Sequence, residues 1–404
     1  MNESKGISKL DLKRRNRKQI LLAIRECATL ARVDIAKRLS LTRAAVTIIT
    51  NQMISQNILE DLSTPKERDN EPKRKGRKKT LIRINPNYKF VLGAVISADY
   101  ISIGLSNLDG EVLDKTFLPI DGSMEQREIV HFILTACNQL MAKSSLKPDQ
   151  ILGLGVGVAP SRWKDMHGSI TQDGVEFPKI AYYLEMELNI PVCCSNLVTL
   201  YALANIDHVA QHRMNQLLIY SGDEYHVAFV TDGKINSASN RDTAAINRFI
   251  VTPNGDKEAG YPNGSVHAEL TRPVLIRKAA AILGADPKTL TFREIDEAYK
   301  AGNKKIAALL NLVSEKIALL IYNYAVTQRA ERVILQDFCF NKTGEKLVRD
   351  TLKKLSGTDE MAPELVISQL TPEHSFLAGS AYAVETLFFE TGGTRRTEAA
   401  VLPE

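Results

Sequence analysis

A strand pattern that occurs twice constrains the fold of this 404-residue chain more than any other feature of its sequence. Each copy begins with an apolar strand, turns into a second strand, and reaches a third strand through an Asp-Gly turn. The copies comprise Phe90–Ile96, Ile101–Leu105 and Asp109-Gly110, then Gln216–Tyr220, Val227–Val230 and Asp232-Gly233. A duplicated three-stranded meander of this kind predicts two related lobes.

Helical and apolar stretches complete each predicted lobe. Residues 124–144 and 305–327 have helical patterns, and the apolar runs 151–158 and 332–336 are typical of buried strands. Strands that alternate with helices indicate sheets covered by helices. We therefore expect a two-lobed α/β body around a cleft, with the layout of actin and the sugar kinases.

Charge is divided unevenly along the chain, although the net charge is only +5. Residues 1–89 carry 22 Lys and Arg against 9 Asp and Glu, whereas the remaining residues carry 30 against 38. A uniformly mixed surface is therefore excluded. A basic head on an acidic body indicates that the head binds a polyanion such as nucleic acid.

The basic head has the pattern of a helix-turn-helix. A first helix places Ile20, Leu21, Ile24 and Cys27 on one face, and a second helix fits Val33–Leu39. Thr42 is a suitable N-cap for a third helix, and Asn57 can adopt the left-handed conformation that ends it. The inward positions of the third helix are Ala45, Val46, Ile49 and Met53.

In this motif the N-terminal turns of the last helix enter the major groove of DNA. The predicted groove-facing residues are Thr42, Arg43, Ala44 and Thr47. Arg43 can bind a guanine through two hydrogen bonds, and the alanine and threonine methyl groups can contact thymine. The alternative is that Thr42 only caps the helix and that Arg43 lies in water.

Two short strands, 58–62 and 80–84, follow the third helix and predict a wing. The loop between them ends in the basic run Lys73–Lys79. An extended arm of this kind can lie in the minor groove, where the potential is most negative. The predicted arm residues are Arg74, Lys75, Gly76, Arg77 and Lys78. The alternative is a solvated linker.

The order of these segments resembles the ROK family of repressors, open reading frames and kinases over essentially the whole chain. The motifs that carry the resemblance are Arg15-Asn16, the run Ser40–Thr47, Gly76-Arg77, the glycine-rich strand Gly153–Pro160 and Leu377–Ala381. The resemblance implies an N-terminal winged helix-turn-helix followed by a two-lobed actin-like, ribonuclease H-like body.

The chain departs from the family's kinases where they bind ATP and accept a proton. The glycine-rich phosphate loops are replaced by Val95–Asp99 and Gly222–His226, and the late Gly-Gly by Gln336-Asp337. The family's Glu-Asn-Asp corresponds to Ser195–Leu197, which places a leucine at the position of the catalytic base. We therefore expect no enzymatic activity, no catalytic residue and no cofactor. The alternative is a ROK kinase that phosphorylates a hexose or N-acetylhexosamine with ATP.

The family's zinc and sugar positions have also changed. The metal-binding histidine corresponds to Arg248, and the cysteine-rich stretch corresponds to Glu258–His267, which contains no cysteine. We therefore expect no metal. Four residues form the candidate ligand site: Asn196, Asn247, Arg248 and His267. Arg248 would suit an anionic ligand. The alternative is that Arg248 pairs with an acid such as Glu258 and is structural.

These patterns predict three domains: a winged helix-turn-helix at 1–84, a first lobe at 85–200 plus 375–393, and a second lobe at 201–374. The second lobe would carry dimerisation and the altered ligand region. The expected partners are double-stranded DNA with a pseudo-palindromic operator, a sugar-like or anionic effector, and further copies of the chain in a homodimer or tetramer. We expect no membrane partner, because the longest apolar run, Ile151–Pro160, is half the length of a membrane helix. The expected location is the cytoplasm, in association with the nucleoid.

Overall fold

The computed structural model describes residues 9–62, 80–120, 124–162, 169–172, 175–206, 214–236, 242–337, 342–357 and 362–394. The chain forms two compact units. The first comprises residues 1–200, 207–211 and 372–404, and the second comprises residues 201–206 and 212–371. The division of the first unit into a head and a lobe near residue 84 stays a prediction.

The head contains the three predicted helices, α1 (Lys9–Cys27), α2 (Arg32–Leu39) and α3 (Arg43–Ser55). The predicted cap is confirmed, because the Thr42 hydroxyl accepts a hydrogen bond from the Ala45 N–H at 3.2 Å. The predicted stop is also confirmed, since Asn57 has a φ of 65°. Ile20, Leu21, Ile24, Val46 and Met53 are fully buried between the helices.

A three-stranded antiparallel sheet completes the winged fold. Its strands are β1 (Leu30–Ala31), β2 (Leu59–Asp61) and β3 (Leu81–Ile84), in the order β1-β3-β2. The sequence predicted β2 and β3. Strand β1 has only two residues, too few for an alternating pattern, and it forms because Leu30 pairs with Ile82.

The lobe of the first unit is built on a five-stranded sheet in the order β10-β7-β4-β5-β6. The predicted meander forms its antiparallel half, and the remaining strands add in parallel. The strands are β4 (Phe90–Ile96), β5 (Tyr100–Ser106), β6 (Val112–Pro119), β7 (Ile151–Val158) and β10 (Val192–Asn196). A separate hairpin is formed by β8 (Ser169–Gln172) and β9 (Val175–Pro178). The helices are α4 (Gln126–Lys143), α5 (Lys179–Leu188) and α6 (Leu197–Ala204), within which the chain passes to the second unit.

Helix α12 (Phe376–Ala383) returns to this sheet and packs closely against it. A Cβ atom on Gly155 would lie 1.9 Å from the Gly379 carbonyl oxygen. The glycine-rich strand and the late Gly379 are therefore required by the same close contact between two backbones.

The second unit repeats the same strand order, β13-β12-β11-β14-β15, with an antiparallel half followed by a parallel half. Its strands are β11 (Gln216–Ser221), β12 (Tyr225–Thr231), β13 (Lys234–Ile235), β14 (Arg332–Gln336) and β15 (Glu364–Ile367). Its helices are α7 (Val266–Leu270), α8 (Arg272–Leu283), α9 (Phe292–Lys300), α10 (Lys304–Gln328) and α11 (Lys342–Ser356). The predicted duplication and the α/β fold class are thus confirmed.

Helix α10 is long and apolar enough to cross a membrane by length and composition alone. Its buried side, however, supplies Ile306, Leu310, Val313, Ile317 and Ile321 to the hydrophobic core of the second unit. The core role accounts for most of its apolar character.

The head shares a hydrophobic core with the C-terminal end of the first unit. After α12 the helix continues as a π-helical turn, Val384–Phe389. Leu387 and Phe388 lie in the same buried cluster as Ile20 and Leu21 of α1. The first helix of the chain and its last helical turn therefore stabilise each other.

Candidate nucleic-acid interface and ligand cluster

The outer face of α3 carries all the residues predicted to read DNA. Arg43, Ala44 and Thr47 are exposed, as is the capping residue Thr42. The opposite face is anchored by Val46, Ile49, Thr50 and Met53, which are buried. A rigid core therefore holds the predicted reading residues in solvent.

Hydrogen bonds within the helix determine which donors and acceptors of Thr42 and Thr47 remain available to a base pair. The Thr42 hydroxyl accepts from the Ala45 N–H, and the Thr47 hydroxyl donates to the Arg43 carbonyl oxygen at 2.8 Å. The Thr42 hydroxyl thus keeps its O–H as a donor, and the Thr47 hydroxyl keeps its oxygen as an acceptor. The face keeps the Arg43 guanidinium as a donor, and methyl groups that suit thymine.

Two further residues extend this face and were not predicted. Ile48 is 69% exposed, the highest value among the exposed large hydrophobic residues of the described chain. Asn51 lies one turn after Thr47, is exposed, and accepts a hydrogen bond from Arg32 at 3.3 Å. The Ile48-Ile49 pair gave no signal for Ile48, because either isoleucine fits the core face of a helix when judged by its type.

The arm residues Arg74, Lys75, Gly76, Arg77 and Lys78 lie outside the described residues, so their role stays a prediction. The strands on either side of this segment are described. Glu60 of β2 and Arg83 of β3 are register partners and form an ion pair at 2.7 Å. The wing strands are therefore aligned as the prediction requires.

The position that corresponds to the catalytic base of the family's kinases is occupied by Leu197, a residue of the hydrophobic core. Leu197 begins α6 and is fully buried. The preceding Asn196, a predicted ligand residue, uses its Oδ1 to accept the Val198 N–H at 2.9 Å. No proton acceptor is provided by either side chain at this turn, because an amide and an alkyl group do not act as general bases.

The β4–β5 turn, where a kinase has its first phosphate loop, is a short hairpin closed on itself. The Ser97 N–H donates to the Tyr100 carbonyl at 2.9 Å, and the Ser97 hydroxyl donates to Asp99 at 3.1 Å. Arg162 donates to the Ala98 carbonyl at 3.3 Å. The turn therefore presents a carboxylate rather than a row of free amides.

Asn196 belongs to the first unit, and the other three predicted ligand residues belong to the second unit. Asn247 is buried and fully used by the backbone. Its Oδ1 accepts from the Tyr225 N–H at 2.9 Å, and its Nδ2 donates to the carbonyls of Tyr225 and Ala244 at 2.7 and 3.0 Å. Asn247 is thus a positioning residue that holds the start of β12.

Arg248 and His267 are brought together through Tyr261, which the sequence did not predict. The exposed Arg248 donates to the Gly260 carbonyl at 3.2 Å, and the ring of Tyr261 stacks on His267 at 3.8 Å between centroids. The Tyr261 hydroxyl donates to Glu224 at 3.3 Å. We call these residues, together with His226, the polar cluster: Glu224, His226, Arg248, Tyr261 and His267.

Burial and neighbouring charges shift the pKa values of Tyr261 and His226 in the polar cluster in opposite directions. Burial, followed by the carboxylate of Glu224, raises the pKa of Tyr261, while Arg248 lowers it. Burial lowers the pKa of His226, and the carboxylates of Glu224 and Asp242 act in the opposite direction. His226 is therefore neutral at pH 7, held by Thr243 at 3.0 Å.

The polar cluster leaves two groups available to a ligand. The Arg248 guanidinium is exposed and donates to a neutral carbonyl oxygen, so it can still bind an anion. His267 Nδ1 is buried and has no hydrogen-bond partner among the described residues. Glu258, the acid suggested as a partner of Arg248, pairs with Arg277 at 2.8 Å.

The residues at the family's zinc positions do not fit a metal. Arg248 is a cation, Glu258 is engaged by Arg277, and Ser265 is fully buried with its hydroxyl at the N-terminus of α7. Within the described ranges no group of three His, Cys, Asp or Glu side chains could hold a metal ion.

No protein-family profile matches the chain. Curated relatives do match it. A xylose repressor of Caldicellulosiruptor bescii is 23% identical over 187 residues, which are 46% of this chain and 45% of that protein. The chain thus spans less than half the length of this relative. A xylose repressor of Staphylococcus xylosus is 23% identical over 320 residues, which are 76% of this chain and 78% of that protein.

Solved structures share the fold. A ROK family transcriptional regulator, described as a homologue of the Escherichia coli MLC protein, aligns with 95% of this chain and all of its own, with a TM-score of 0.70 and 16% identity. The ROK hexokinase of Thermus thermophilus aligns with 72% of this chain and 97% of its own, with a TM-score of 0.58 and 18% identity. The extra coverage by the regulator indicates that its likeness includes more than the kinase body. With the duplicated lobes and the winged head, these matches show that the chain shares the fold of the ROK family regulator.

Proposed function

We propose that the protein is a sequence-specific DNA-binding transcriptional repressor. The observation that carries the proposal is the outer face of α3, where Arg43, Ala44 and Thr47 stand exposed above a buried core. A winged helix-turn-helix uses this face to read the major groove. The names of the curated relatives, all xylose repressors, support the same function.

The symmetry of a dimer determines the symmetry of the DNA site that it binds. A two-fold dimer presents two reading helices about one DNA turn apart, roughly 34 Å, and binds a pseudo-palindrome. The basic run Lys73–Lys79 would add phosphate and minor-groove contacts at each half-site.

DNA fragments selected from the source genome by binding to the full chain provide the probe. On a selected duplex, Arg43→Ala should weaken binding about 10-fold or more, because a bidentate arginine–guanine contact is lost. Arg293→Ala is the matched control, since this arginine is on α9 with a side chain 87% exposed and should change nothing. If both variants bind like the wild type, α3 does not read the DNA.

The salt dependence of DNA binding tests the contribution of the basic run Lys73–Lys79 separately from that of α3. Affinity should fall with salt at a slope of about −0.9 per neutralised phosphate, and Arg77→Ala should reduce that slope by about one. An unchanged slope would leave the loop as a solvated linker.

The second part of the proposal is an effector that binds the polar cluster. The exposed Arg248 and the buried His267 Nδ1 fit a sugar-like ligand that carries a carboxylate or phosphate. An effector regulates DNA binding only if it has different affinities for two states of the protein.

A thermal shift panel of xylose, hexoses, sugar acids and sugar phosphates tests this part. A ligand of the native state raises the melting temperature, and Arg248→Ala should abolish the rise for an anionic ligand while Arg293→Ala preserves it. A rise that survives Arg248→Ala would move the effector to another site.

The third part is that the body is not catalytic. Leu197 is buried at the position of the kinase base, and the β4–β5 turn presents Asp99 to solvent. A coupled assay with ATP and a panel of hexoses and N-acetylhexosamines should show no turnover above that of a protein-free control. Turnover would support the kinase alternative that the structural likeness to hexokinases leaves open.

The proposed location is the cytoplasm, at the nucleoid, where the operator lies. Localisation of a fluorescent fusion tests this, and an Arg43→Ala fusion should lose the nucleoid pattern without leaving the cytoplasm.

A further inference from the structure

The orientation of one side chain on the reading helix α3, that of Asn51, is fixed by a neighbouring element. Asn51 is exposed on the same face of α3 as Ala44, Thr47 and Ile48, which precede it by seven, four and three residues. Its Oδ1 accepts a hydrogen bond from Nη2 of Arg32 at 3.3 Å. Because Arg32 is the first residue of α2, this contact joins the two helices of the motif.

Arg32 is held at two further points besides this amide. Its Nε donates to the Thr50 hydroxyl at 3.0 Å, and its Nη1 forms an ion pair with Asp61 of β2 at 3.6 Å. Thr50 is fully buried, and its hydroxyl donates in turn to the Val46 carbonyl at 2.8 Å. The guanidinium therefore has a defined orientation, fixed by the core side of α3 and by the wing strand.

The chemistry of arginine decides which end of the Asn51 amide faces it. A guanidinium has five N–H donors and no acceptor, so it binds the amide oxygen and disfavours the amide nitrogen. The Asn51 Oδ1 is thus turned towards Arg32. Within the described part of the chain, the two N–H donors of Nδ2 make no hydrogen bond and are left for another partner.

An asparagine held in this way presents different groups to DNA from one that rotates freely. A free carboxamide reads adenine through two hydrogen bonds, since it donates to N7 and accepts from the N6 amino group. With its oxygen turned to Arg32, Asn51 presents donors to the groove. The bases that suit a donor are thymine, through O4, and guanine, through O6 and N7.

Ile48 distinguishes between these two bases. It is exposed one turn before Asn51 on the same face, and side chains three positions apart on a helix are about 5–6 Å from each other. Thymine carries a C5 methyl group beside O4, whereas guanine has no methyl group. A donor beside an exposed apolar side chain is therefore complementary to thymine.

We propose that Asn51 and Ile48 together select a T·A base pair, and that Arg32 is the positioning residue that gives Asn51 this preference. The proposal rests on the proposed function and adds which base pair this part of α3 reads. If the contact with Arg32 only stiffens the head, variants of Asn51 and Arg32 will change affinity or stability without changing base preference.

Replacement of one base pair at a time locates the contact. The full chain is titrated by fluorescence anisotropy against a selected duplex that carries each of the four base pairs at every position of one half-site. The wild type should prefer T·A about 10-fold at one position, and Asn51→Ala should remove that preference while keeping the others. Gln56→Ala is the matched control, because Gln56 is an exposed carboxamide at the far end of the same helix.

Modified bases test the two recognised groups of thymine separately. Uracil lacks only the methyl group, so it should weaken wild-type binding about 4-fold and leave the affinity of Ile48→Ala unchanged. 5-Methylcytosine, paired with guanine, keeps the methyl group but has an amino group in place of O4. It should weaken wild-type binding about 10-fold and Asn51→Ala binding much less.

Variants of Arg32 test its positioning role. Arg32→Met frees the Asn51 amide to rotate and accept from adenine, so the preference for T·A over A·T should fall below about 2-fold or reverse. Arg32→Lys keeps a group that only donates and should keep the preference. A merely structural role would instead weaken binding to all duplexes alike.

Asn51→Asp tests the same contact with a variant that keeps its pairing with Arg32. A carboxylate binds the guanidinium but has no donor for thymine, and it can accept from the amino group of cytosine. The preferred base pair should therefore change from T·A to C·G, although the overall affinity falls. Thermal unfolding checks that each variant folds.

The proposal is overturned if the wild type prefers another base pair at the position that Asn51→Ala changes, or if Asn51→Ala changes no position. It is also overturned if Asn51→Asp still prefers T·A, or if a folded Arg32→Met variant keeps the full preference. A wild type that selects no duplex would refute the repressor function as well. Selective binding that does not depend on Asn51 would refute this inference alone.

Discussion

Arg17 of the first helix donates a buried hydrogen bond from Nε to the carbonyl of Gly392, 375 positions further along the chain, at 2.8 Å. This bond lies beside the core that the head shares with the C-terminal turn of the first unit. The next residue, Lys18, pairs with Glu390 at 2.5 Å, and about two turns further along α1, Arg25 pairs with Glu385 at 2.6 Å. Charged as well as apolar contacts thus hold the head against residues 384–392.

Loss of the Arg17 contact should destabilise the first unit. Arg17→Met leaves the Gly392 carbonyl without its donor, which costs about 1–3 kcal/mol for a buried group. Arg15→Met is the control, because Arg15 is exposed on the same helix. Urea unfolding followed by circular dichroism measures the difference, and equal midpoints for the two variants would contradict the assigned contact.

The close contact between β7 and α12 should not tolerate a methyl group. Gly155→Ala places its Cβ 1.9 Å from the Gly379 carbonyl oxygen, so the helix must move away from the sheet. We expect a loss of several kcal/mol, as for overpacked cores. Gly222→Ala is the control, since its nearest neighbour would be a tyrosine ring atom at 3.3 Å. Thermal unfolding should lower the melting temperature far more for the first variant.

A buried ion cluster should make the second unit sensitive to acid. Burial tends to raise the pKa of Glu269, but hydrogen bonds from Lys278, Lys316 and the Asp256 N–H outweigh it and lower the pKa to about 2. A carboxylate with a depressed folded-state pKa contributes stability above its unfolded pKa of about 4.3 and loses it as pH falls toward 2. The contribution is on the order of 3 kcal/mol.

Glu269→Gln measures this contribution. Wild type should lose stability between about pH 5 and pH 2, and the variant should be less stable at pH 7 with a shallower decline on acidification. Urea midpoints across that range provide the measurement. Parallel pH profiles for the two proteins would show that Glu269 does not carry the effect.

Ile48 should contribute to DNA affinity without contributing to stability. Ile48→Ala removes an exposed apolar group from the reading face and should weaken binding to a selected duplex by about 1 kcal/mol if a thymine methyl is contacted. Its melting temperature should stay that of the wild type, because the side chain is 69% exposed. Leu355→Ala, an exposed leucine on α11, should change neither quantity.

A restored carboxylate should not restore a kinase. Leu197→Asp places a charge in a fully buried position, so it should lower the melting temperature markedly and give no ATP turnover. Leu197→Met conserves volume and should cost under about 1.5 kcal/mol. Phosphorylation of a hexose by the aspartate variant would show that only the base had been lost from an otherwise competent site.

The sequence by itself determined the three helices of the head, the two wing strands and the two meanders of the body. Alternation and Asp-Gly turns located both meanders, and the Thr42 cap and the left-handed Asn57 bounded the reading helix, because these signals depend on local backbone chemistry. Resemblance and residue type also identified Leu197 and Arg248 as departures from a kinase. The roles of the arm residues and of the predicted ligand set remain predictions.

Tertiary structure decided which side chains are free to act. The side chain of Asn247, a predicted ligand residue, holds the backbone of Tyr225, while Tyr261, which gave no signal, joins Arg248 to His267. Ile48 and Ile49 are identical in type, yet one is in solvent and the other is in the core. Periodicity predicts that a residue lies on a face, but only the packed neighbours decide whether that face is covered.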